Sequence, residues 1–209
     1  MGYAFFAIPY IYHSRRTGLF RMEEKYRQQP SNIIKVVLFG PESTGKTTLS
    51  EQLARHYHTV WVPEYAREYL QRKWNNERKT CEPGDLLPIA EGQMKFENEL
   101  TKKATNILIC DTDLLETKVY SEAYYIGECD PILEKHALEN TYDLYFLTYV
   151  DIPWEADDLR DKPGEREEMF SYFQKTLEKY NRNFVILKGD KKKRMKTATE
   201  HIEKLLKND

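Results

Sequence analysis

The fold of this chain is decided by residues 33–48, which read IIKVVLFGPESTGKTT. The apolar run that opens this stretch predicts a buried parallel strand. It ends in the pattern G-x-x-x-x-G-K-[ST], after which apolar residues recur at helical spacing. Strand, glycine loop and helix in this order predict a phosphate-binding loop, because the backbone N–H groups and the positive end of the helix dipole point at one place. The pattern therefore predicts nucleotide binding, and it leaves hydrolysis, kinase chemistry and switching open.

The loop also supplies side chains for the nucleotide. We expect Lys46 to reach the β- and γ-phosphates of ATP and the Thr47 hydroxyl to hold Mg²⁺. The glycines let the backbone curl around the phosphate oxygens. The loop residues predicted to bind the nucleotide are Gly40, Glu42, Ser43, Thr44, Gly45, Lys46, Thr47 and Thr48.

Composition limits the classes of function. The 209 residues favour a single domain, and 40% hydrophobic with 32% charged residues is typical of a soluble globular protein. A net charge of −2 gives no general attraction to nucleic acid or to an anionic membrane, so neither is expected as a partner. The three cysteines, Cys81, Cys110 and Cys129, lack the spacing of zinc ligands or of a disulfide framework, which favours a cytoplasmic protein.

The first residues are interpreted as a tail. The apolar stretch at residues 3–12 is too short to span a bilayer, and it has neither a basic segment before it nor a small-residue cleavage site after it. We predict that residues 1–31 form a flexible tail and residues 32–209 one kinase domain. Met22 is an alternative start, and an arm that docks a partner is the alternative function of this segment.

Five apolar segments alternate with helical patterns along the rest of the chain. This alternation predicts an α/β fold with a five-stranded parallel sheet that carries helices on both faces. A charged segment follows the fourth strand, and residues 153–172 are predicted to form a helical lid. The predicted strands are residues 33–39, 59–62, 107–110, 142–147 and 184–187.

Three carboxylates follow predicted strands. Glu64 comes after the second strand, and Asp111 and Asp113 come after the third. A kinase needs a carboxylate beside the γ-phosphate to orient or deprotonate the acceptor hydroxyl, and this edge of a parallel sheet is where such a group belongs. Asp111 is also placed to orient magnesium. The alternatives are a helix N-terminal acid for Glu64, a turn for Asp111, and a helix cap or a substrate contact for Asp113, so the sequence does not rank them as the catalytic base.

Arginines and aromatic residues complete the candidate site. Arg160 and Arg166 are predicted to close over the triphosphate from the lid, with a solvated charged surface as the alternative. Fifteen tyrosines are present, and most of those at helical spacing are expected in the core. Trp154 and one or more tyrosines, among them Tyr120, are predicted to stack on a flat ring that carries positive charge.

The chain resembles a known family, the ribosylnicotinamide kinase domain of bacterial NadR-type proteins, over about residues 33–206. The resemblance implies a P-loop fold of the nucleoside and nucleotide kinase type, with ATP and Mg²⁺ as cofactors. It also implies phosphorylation of the 5′-hydroxyl of nicotinamide riboside to nicotinamide mononucleotide in NAD salvage. The segments that carry it are residues 40–49, 64–69, 89–93, 111–113 with Thr117, and 154–160.

Roles for single residues also follow from the resemblance. It implies that Trp154 and a neighbouring tyrosine pack on the nicotinamide, that Asp157 or Asp158 holds substrate, and that Arg194 lies near adenine. The residues expected to be catalytic are Lys46, Glu64, Asp111, Asp113, Arg160 and Arg166. Those expected to contact the acceptor are Tyr65, Arg67, Gln93, Asp113, Tyr120, Trp154, Asp157 and Asp158.

One departure from the family pattern matters. The bifunctional relatives carry an adenylyltransferase domain with an H-x-G-H motif before the kinase, whereas here 32 residues precede the first strand and His13 stands without such a partner. We therefore expect neither adenylyl transfer nor DNA binding. Two alternatives stay open: a kinase for another nucleoside or vitamin-like alcohol, and a regulatory P-loop ATPase. The oligomeric state is not predicted.

Overall fold

The structure, a computed structural model, describes residues 23–125, 127–159 and 164–208. Five parallel strands form one sheet in the order β2-β3-β1-β4-β5. The phosphate-loop strand β1 is central, and Val36 lies between Ile109 of β3 and Leu144 of β4. The strands are β1 (Ile34–Phe39), β2 (Trp61–Val62), β3 (Ile107–Asp111), β4 (Leu144–Thr148) and β5 (Phe184–Leu187).

The described chain has seven α-helices, six of which cover the two faces of this sheet. The seven are α1 (Lys46–His56), α2 (Tyr65–Glu77), α3 (Leu86–Thr101), α4 (Leu114–Tyr124), α5 (Pro131–Glu139), α6 (Arg166–Lys179) and α7 (Lys191–Asn208). Successive residues of each strand point to opposite faces, so β1 buries Val37 and Phe39 on one side and Val36 and Leu38 on the other. Helices α3 to α6 pack on the first side, and α1 with α7 packs on the second. The predicted five-stranded parallel sheet with helices on both faces is confirmed.

The charged residue within β1 is explained by a buried ion pair. Lys35 Nζ lies 2.9 Å from Glu97 Oε1, and both side chains are buried. The Tyr142 hydroxyl donates to the other Glu97 oxygen at 2.7 Å. Because its charge is paired and hydrogen-bonded, Lys35 does not interrupt the buried strand.

The lid differs from its prediction. Its described residues before Arg166, 153–159 and 164–165, are not helical, and the helix begins only at Arg166. Pro153 and Gly164 account for part of this, since neither favours a helix interior. We call residues 151–159 the strap. Residues 160–163, with the predicted lid residue Arg160, lie outside the described residues.

Part of the predicted tail belongs to the domain. Tyr26 is buried in the core cluster, and the Gln28 side chain donates to Glu97 at 2.7 Å. The Gln28 backbone N–H also donates to Asn140 Oδ1 at 3.2 Å. Residues 26–29 therefore contact the domain, although the prediction placed them in the tail. Residues 1–22 lie outside the described residues.

No helix within the described ranges is both long and apolar enough to cross a membrane. The longest of them, α7, has 18 residues, but it carries lysines and glutamates along much of its length. Its buried contacts to the sheet come from Ala198 and Ile202. Helix α7 is therefore an amphipathic helix of the fold.

Candidate active site

The phosphate-binding loop joins β1 to α1 and depends on its glycines. Gly40 and Gly45 have φ angles of +132° and +81°, a region that favours glycine. A Cβ on Gly40 would also lie 2.9 Å from Thr148 Oγ1, at the end of β4. Thr44 is buried and shares a 2.7 Å hydrogen bond with that same Thr148 hydroxyl. The loop is thus fixed against the neighbouring strand.

Lys46 is the buried cation of the site. Its Nζ donates to the carbonyl oxygens of Gly40 and Pro41 at 2.6 and 3.1 Å. Burial alone lowers the pKa of Lys46, but the carboxylates of Glu116 and Glu64, together with Asp111, raise it above its ordinary value. Lys46 therefore stays protonated, as a residue that binds phosphate must.

Glu116 is a functional candidate that sequence reasoning missed. One of its carboxylate oxygens lies 3.1 Å from Lys46 Nζ, and the other accepts the Gly40 N–H at 3.2 Å. Burial is the main reason that the pKa of Glu116 is raised to about 8, although Lys46 opposes this shift. Glu116 lies three residues after Asp113, and this spacing is typical of a helix capping box rather than of an active site. Its place one turn into the helix after β3 was the available signal.

Thr47 and Asp111 are brought together as the magnesium prediction requires. The Thr47 hydroxyl donates to Asp111 Oδ2 at 2.6 Å, while Asp111 Oδ1 is buried and has no hydrogen-bond partner among the described residues. Burial, reinforced by the charge of Glu64, raises the pKa of Asp111 to about 7. A hydroxyl beside a carboxylate with an oxygen to spare fits Mg²⁺, which is usually bound through one or two carboxylates plus substrate phosphates.

Glu64 lies between β2 and α2 and faces the same cluster. Its charge acts on Lys46, Asp111 and Glu116. Its carboxylate accepts no capping hydrogen bond from the described helix α2, but Glu64 stands at the N-cap position, so the alternative of a helix N-terminal acid stays open. On either side of Glu64, the buried Gln93 amide accepts the Tyr65 N–H at 2.8 Å and donates to the Pro63 carbonyl at 3.3 Å.

Asp113 caps the helix that follows β3, which is one of the alternatives stated from the sequence. One of its carboxylate oxygens accepts the Glu116 backbone N–H at 2.9 Å and so caps α4. The other accepts the Tyr145 hydroxyl at 2.7 Å, and the residue is 1% exposed. Both oxygens are thus engaged within the protein, which supports the helix-cap alternative, while a catalytic or substrate contact of Asp113 stays a prediction.

Two further predicted acceptor residues serve other contacts. The Tyr65 ring packs over Gly92 and edge-on against Phe96, with 5.2 Å between the ring centroids. Gln93 contacts the main chain around Glu64 rather than open space, and it is 2% exposed. Residues 89–93 of α3 therefore hold the start of α2 against α3.

The strap is attached to α2 by its acidic residues. Arg67 Nη2 lies 2.9 Å from Asp157 Oδ2, and Gln71 donates to Asp158 at 3.4 Å. The second Asp157 oxygen accepts the Leu159 N–H at 2.9 Å. Arg67 and Asp157, both predicted to contact the acceptor, thus form an ion pair, and Asp158 accepts a hydrogen bond from Gln71.

The other end of the strap lies on the phosphate loop. The Glu155 N–H donates to the Ser43 hydroxyl at 2.9 Å. Arg166 donates to the carbonyls of Ser43 and Ile152, both at 2.9 Å, and its guanidinium lies 5.8 Å from the centre of the Trp154 ring. Arg166 thus ties the lid helix to the loop, whereas the prediction was contact with the triphosphate.

Arg194 is buried behind the loop. Its guanidinium donates to the carbonyls of Thr44 at 2.6 Å, Tyr149 at 2.7 Å and Gly189 at 2.9 Å, and it also pairs with Asp151. It lines a small recess near the start of α1. The other residues that line this recess are Gly45, Thr48, Leu49, Gln52, Ile152 and Lys191. The predicted position near adenine remains a prediction, and the contacts that the structure gives Arg194 hold the loop.

Tyr120 and Glu42 complete the predicted set. The Tyr120 ring packs against Phe173 with 5.4 Å between centroids. Burial raises the pKa of Tyr120 well above its usual range, and the charges of Glu116 and Glu42 add to the shift. Tyr120 therefore lies within electrostatic reach of the cluster while its ring belongs to the core.

Comparison with known proteins supports this description. A family model described as an AAA domain matches residues 35–194. The trifunctional NAD biosynthesis/regulator protein NadR of Escherichia coli (strain K12) is 29% identical over 159 residues, which are 75% of this chain and 38% of that protein. The same protein of Salmonella typhimurium (strain LT2) is 28% identical over 162 residues, or 77% of this chain and 39% of that protein. The chain thus spans less than half the length of these relatives, and its resemblance to part of NadR is confirmed.

Solved structures show the fold. The NadR protein in complex with NR superposes with a TM-score of 0.69 at 22% identity, covering 92% of this chain and 58% of that one. Deoxyadenosine kinase from M. mycoides gives a TM-score of 0.62 at 14% identity, covering 82% of this chain and all of that one. Thymidylate kinase from Ehrlichia chaffeensis gives 0.56 at 18% identity, with 84% and 100% covered. The fold is that of P-loop nucleoside and nucleotide kinases.

Proposed function

The chain belongs to the AAA-domain family whose model matches residues 35–194, and we propose that it is an ATP-dependent kinase that converts nicotinamide riboside to nicotinamide mononucleotide. The observation that supports a kinase role is that Glu64 follows β2 at the sheet edge where Asp111 ends β3 and the phosphate loop follows β1. The charge of Glu64 acts on both Lys46 and Asp111 there. The acceptor is proposed from the similarity to NadR, one structure of which contains NR.

The loop would bind the donor. Lys46 would exchange its contacts with the Gly40 and Pro41 carbonyls for phosphate oxygens, while the loop N–H groups bind the remaining oxygens. Thr47 and Asp111 would hold Mg²⁺ through the hydroxyl and the carboxylate oxygen that has no partner among the described residues. Bound Mg²⁺ neutralises charge on the phosphates.

Glu64 would act on the acceptor. In the proposed step the 5′-hydroxyl oxygen forms a bond to the γ-phosphorus, and the bond from that phosphorus to the β–γ bridging oxygen breaks. The hydroxyl proton passes to the Glu64 carboxylate, and the products are ADP and the mononucleotide. Glu116, with a carboxylate oxygen 3.1 Å from Lys46 Nζ, would orient the lysine.

The strap offers a place for a cationic ring. The Trp154 ring already lies beside a cation, the Arg166 guanidinium, at 5.8 Å. The nicotinamide ring of the riboside also carries positive charge, so the same aromatic face suits it by cation–π attraction. Closure of the strap over the substrates would exclude water, which favours transfer to the acceptor over hydrolysis.

The test is ADP production from Mg-ATP with a panel of nucleosides and with no acceptor. We expect turnover with nicotinamide riboside and identification of the mononucleotide by mass spectrometry, with neither seen for Lys46→Ala. Turnover only with another nucleoside would reject the acceptor while keeping a kinase. Equal ADP production with and without acceptors would reject the kinase in favour of a regulatory ATPase.

A further inference from the structure

The Gln93 amide holds the main chain on both sides of Glu64. Gln93 lies within α3 and is 2% exposed. Its Oε1 accepts the Tyr65 N–H at 2.8 Å, and its Nε2 donates to the Pro63 carbonyl at 3.3 Å. One residue, Glu64, separates these two peptide groups. A single side chain therefore fixes the direction of the backbone from which the Glu64 carboxylate projects.

This segment depends on such support. The strand before it, β2, has two residues and lies at the edge of the sheet. Pro63 follows and has no N–H to donate. The Glu64 carboxylate makes no capping hydrogen bond to the described helix α2, so its own side chain does not anchor the turn. The position of Glu64 must therefore be set by contacts of its neighbours.

Other contacts from α3 also hold Tyr65, the residue after Glu64. The Tyr65 ring lies so close over Gly92 that a Cβ there would meet its Cε1 at 2.1 Å. Phe96, one turn further along α3, packs edge-on against the same ring. Tyr65 is thus held by its N–H and by its ring, and both contacts come from one face of α3.

We propose that Gln93 is a positioning residue that sets the Glu64 carboxylate for proton transfer, and that it does not contact the acceptor ring. The proposal rests on the proposed function, because it gives Glu64 the proton of the acceptor hydroxyl. Both amide atoms are already engaged by Pro63 and Tyr65, and the side chain is buried, so an acceptor would have to displace these bonds.

The test compares Gln93→Leu, Glu64→Gln and the double variant in steady-state kinetics. Displacing a catalytic group by about 1 Å costs on the order of a hundredfold, so we expect kcat to fall by roughly 10–100-fold in Gln93→Leu. We expect the KM values for acceptor and ATP to change by less than about threefold. The double variant should be no slower than Glu64→Gln alone, since Gln93 acts only through Glu64.

Controls separate positioning from folding. Gln174→Leu removes a glutamine that pairs with Glu178 within α6, away from the site, and should keep wild-type kinetics. If Gln93→Leu does not fold, Gln93→Asn keeps the amide but withdraws it by one methylene, and the same loss of kcat is expected. Thermal unfolding of each variant identifies a loss of folded protein.

Several outcomes would overturn the inference. The inference is wrong if the losses of activity multiply in the double variant. It is also wrong if the acceptor KM rises selectively and the nucleoside preference changes, because Gln93 would then contact the substrate. Wild-type kcat in Gln93→Leu with an inactive Glu64→Gln would reject the inference alone, whereas a fully active Glu64→Gln would reject the proposed role of Glu64. If no nucleoside is phosphorylated, the proposed function fails. Crystal structures of the wild type and of Gln93→Leu then still decide whether Glu64 moves when Gln93 is replaced.

Discussion

Replacing Gly92 by alanine perturbs the contact between α2 and α3 beside Glu64. The new Cβ would lie 2.1 Å from Tyr65 Cε1 and 2.3 Å from Cδ1 and Cζ. Carbon atoms in contact normally lie about 3.5 Å apart or more, so the ring would have to move by roughly 1.4 Å. Tyr65 is also held by Phe96 and by the Gln93 amide, and both contacts restrict that movement.

The expected destabilisation follows from opposing contributions. Alanine in a helix interior gains about 1 kcal/mol over glycine. Forcing extra volume into a packed contact costs about 1–3 kcal/mol, and weakening the Tyr65–Phe96 pair costs about 0.5–1.5 kcal/mol more. We therefore expect Gly92→Ala to lower the free energy of unfolding by about 1–3 kcal/mol. Activity should fall as well, because Tyr65 adjoins Glu64.

Urea unfolding measures the effect. Gly84→Ala is the matched control, since no atom of the described chain lies within 4 Å of the Cβ position there. Its unfolding free energy should stay within about 0.5 kcal/mol of the wild type. In a Tyr65→Ala background the clash is absent, so the glycine-to-alanine change should become stabilising. A Gly92→Ala protein as stable as the wild type, or the same destabilisation in both backgrounds, would refute the reasoning.

Two other predictions concern buried charge and titration. Above about pH 8, where Glu116 is ionised, Glu116→Gln removes the charge that pairs with Lys46. The variant should then unfold more easily without ATP and gain a larger rise in Tm from ATP. An equal or smaller rise in calorimetry at that pH would contradict this. Burial lowers the pKa of His136, and its ring nitrogens have no hydrogen-bond partner in the described chain. As the pH falls below about 6.5, His136 is therefore protonated in the unfolded state before it is protonated in the folded state. Stability should decline there by at most about 1.4 kcal/mol per pH unit from this residue. His136→Leu should flatten that part of the curve in urea titrations, and an unchanged slope would exclude His136 as its cause.

The fold could be predicted because its signals are local. The apolar run of β1, the glycines and the following helical spacing lie within residues 33–56, and the structure places β1 and α1 there. The third and fifth strands end within a residue of their predicted bounds, since both are short apolar runs between turns. The lid was misjudged because Glu155, Ala156 and Leu159 are good helix formers, yet the strap takes its shape from contacts with the loop and α2.

The site was harder to predict because its contacts join distant residues. The carboxylate of Glu116 meets Gly40 across 76 positions of sequence, and the spacing of Glu116 from Asp113 pointed to a cap instead. Asp113 was predicted as a site residue because it follows β3. The sequence does not show that the Tyr145 hydroxyl, from β4, donates to its second carboxylate oxygen. The residue types at the end of a strand could be read from sequence, but the direction of each side chain could not.

The contacts of Arg166 and Arg194 could not be read from the sequence either, and they explain how the phosphate loop is held. Arg166 binds the Ser43 carbonyl and Arg194 binds the Thr44 carbonyl, each from within the protein. In a trans peptide the C=O and the following N–H point in opposite directions. Holding these two carbonyls against the arginines therefore turns the N–H groups of Thr44 and Gly45 the other way. We infer that the two arginines would aid the proposed phosphate binding by orienting these N–H groups before the nucleotide arrives.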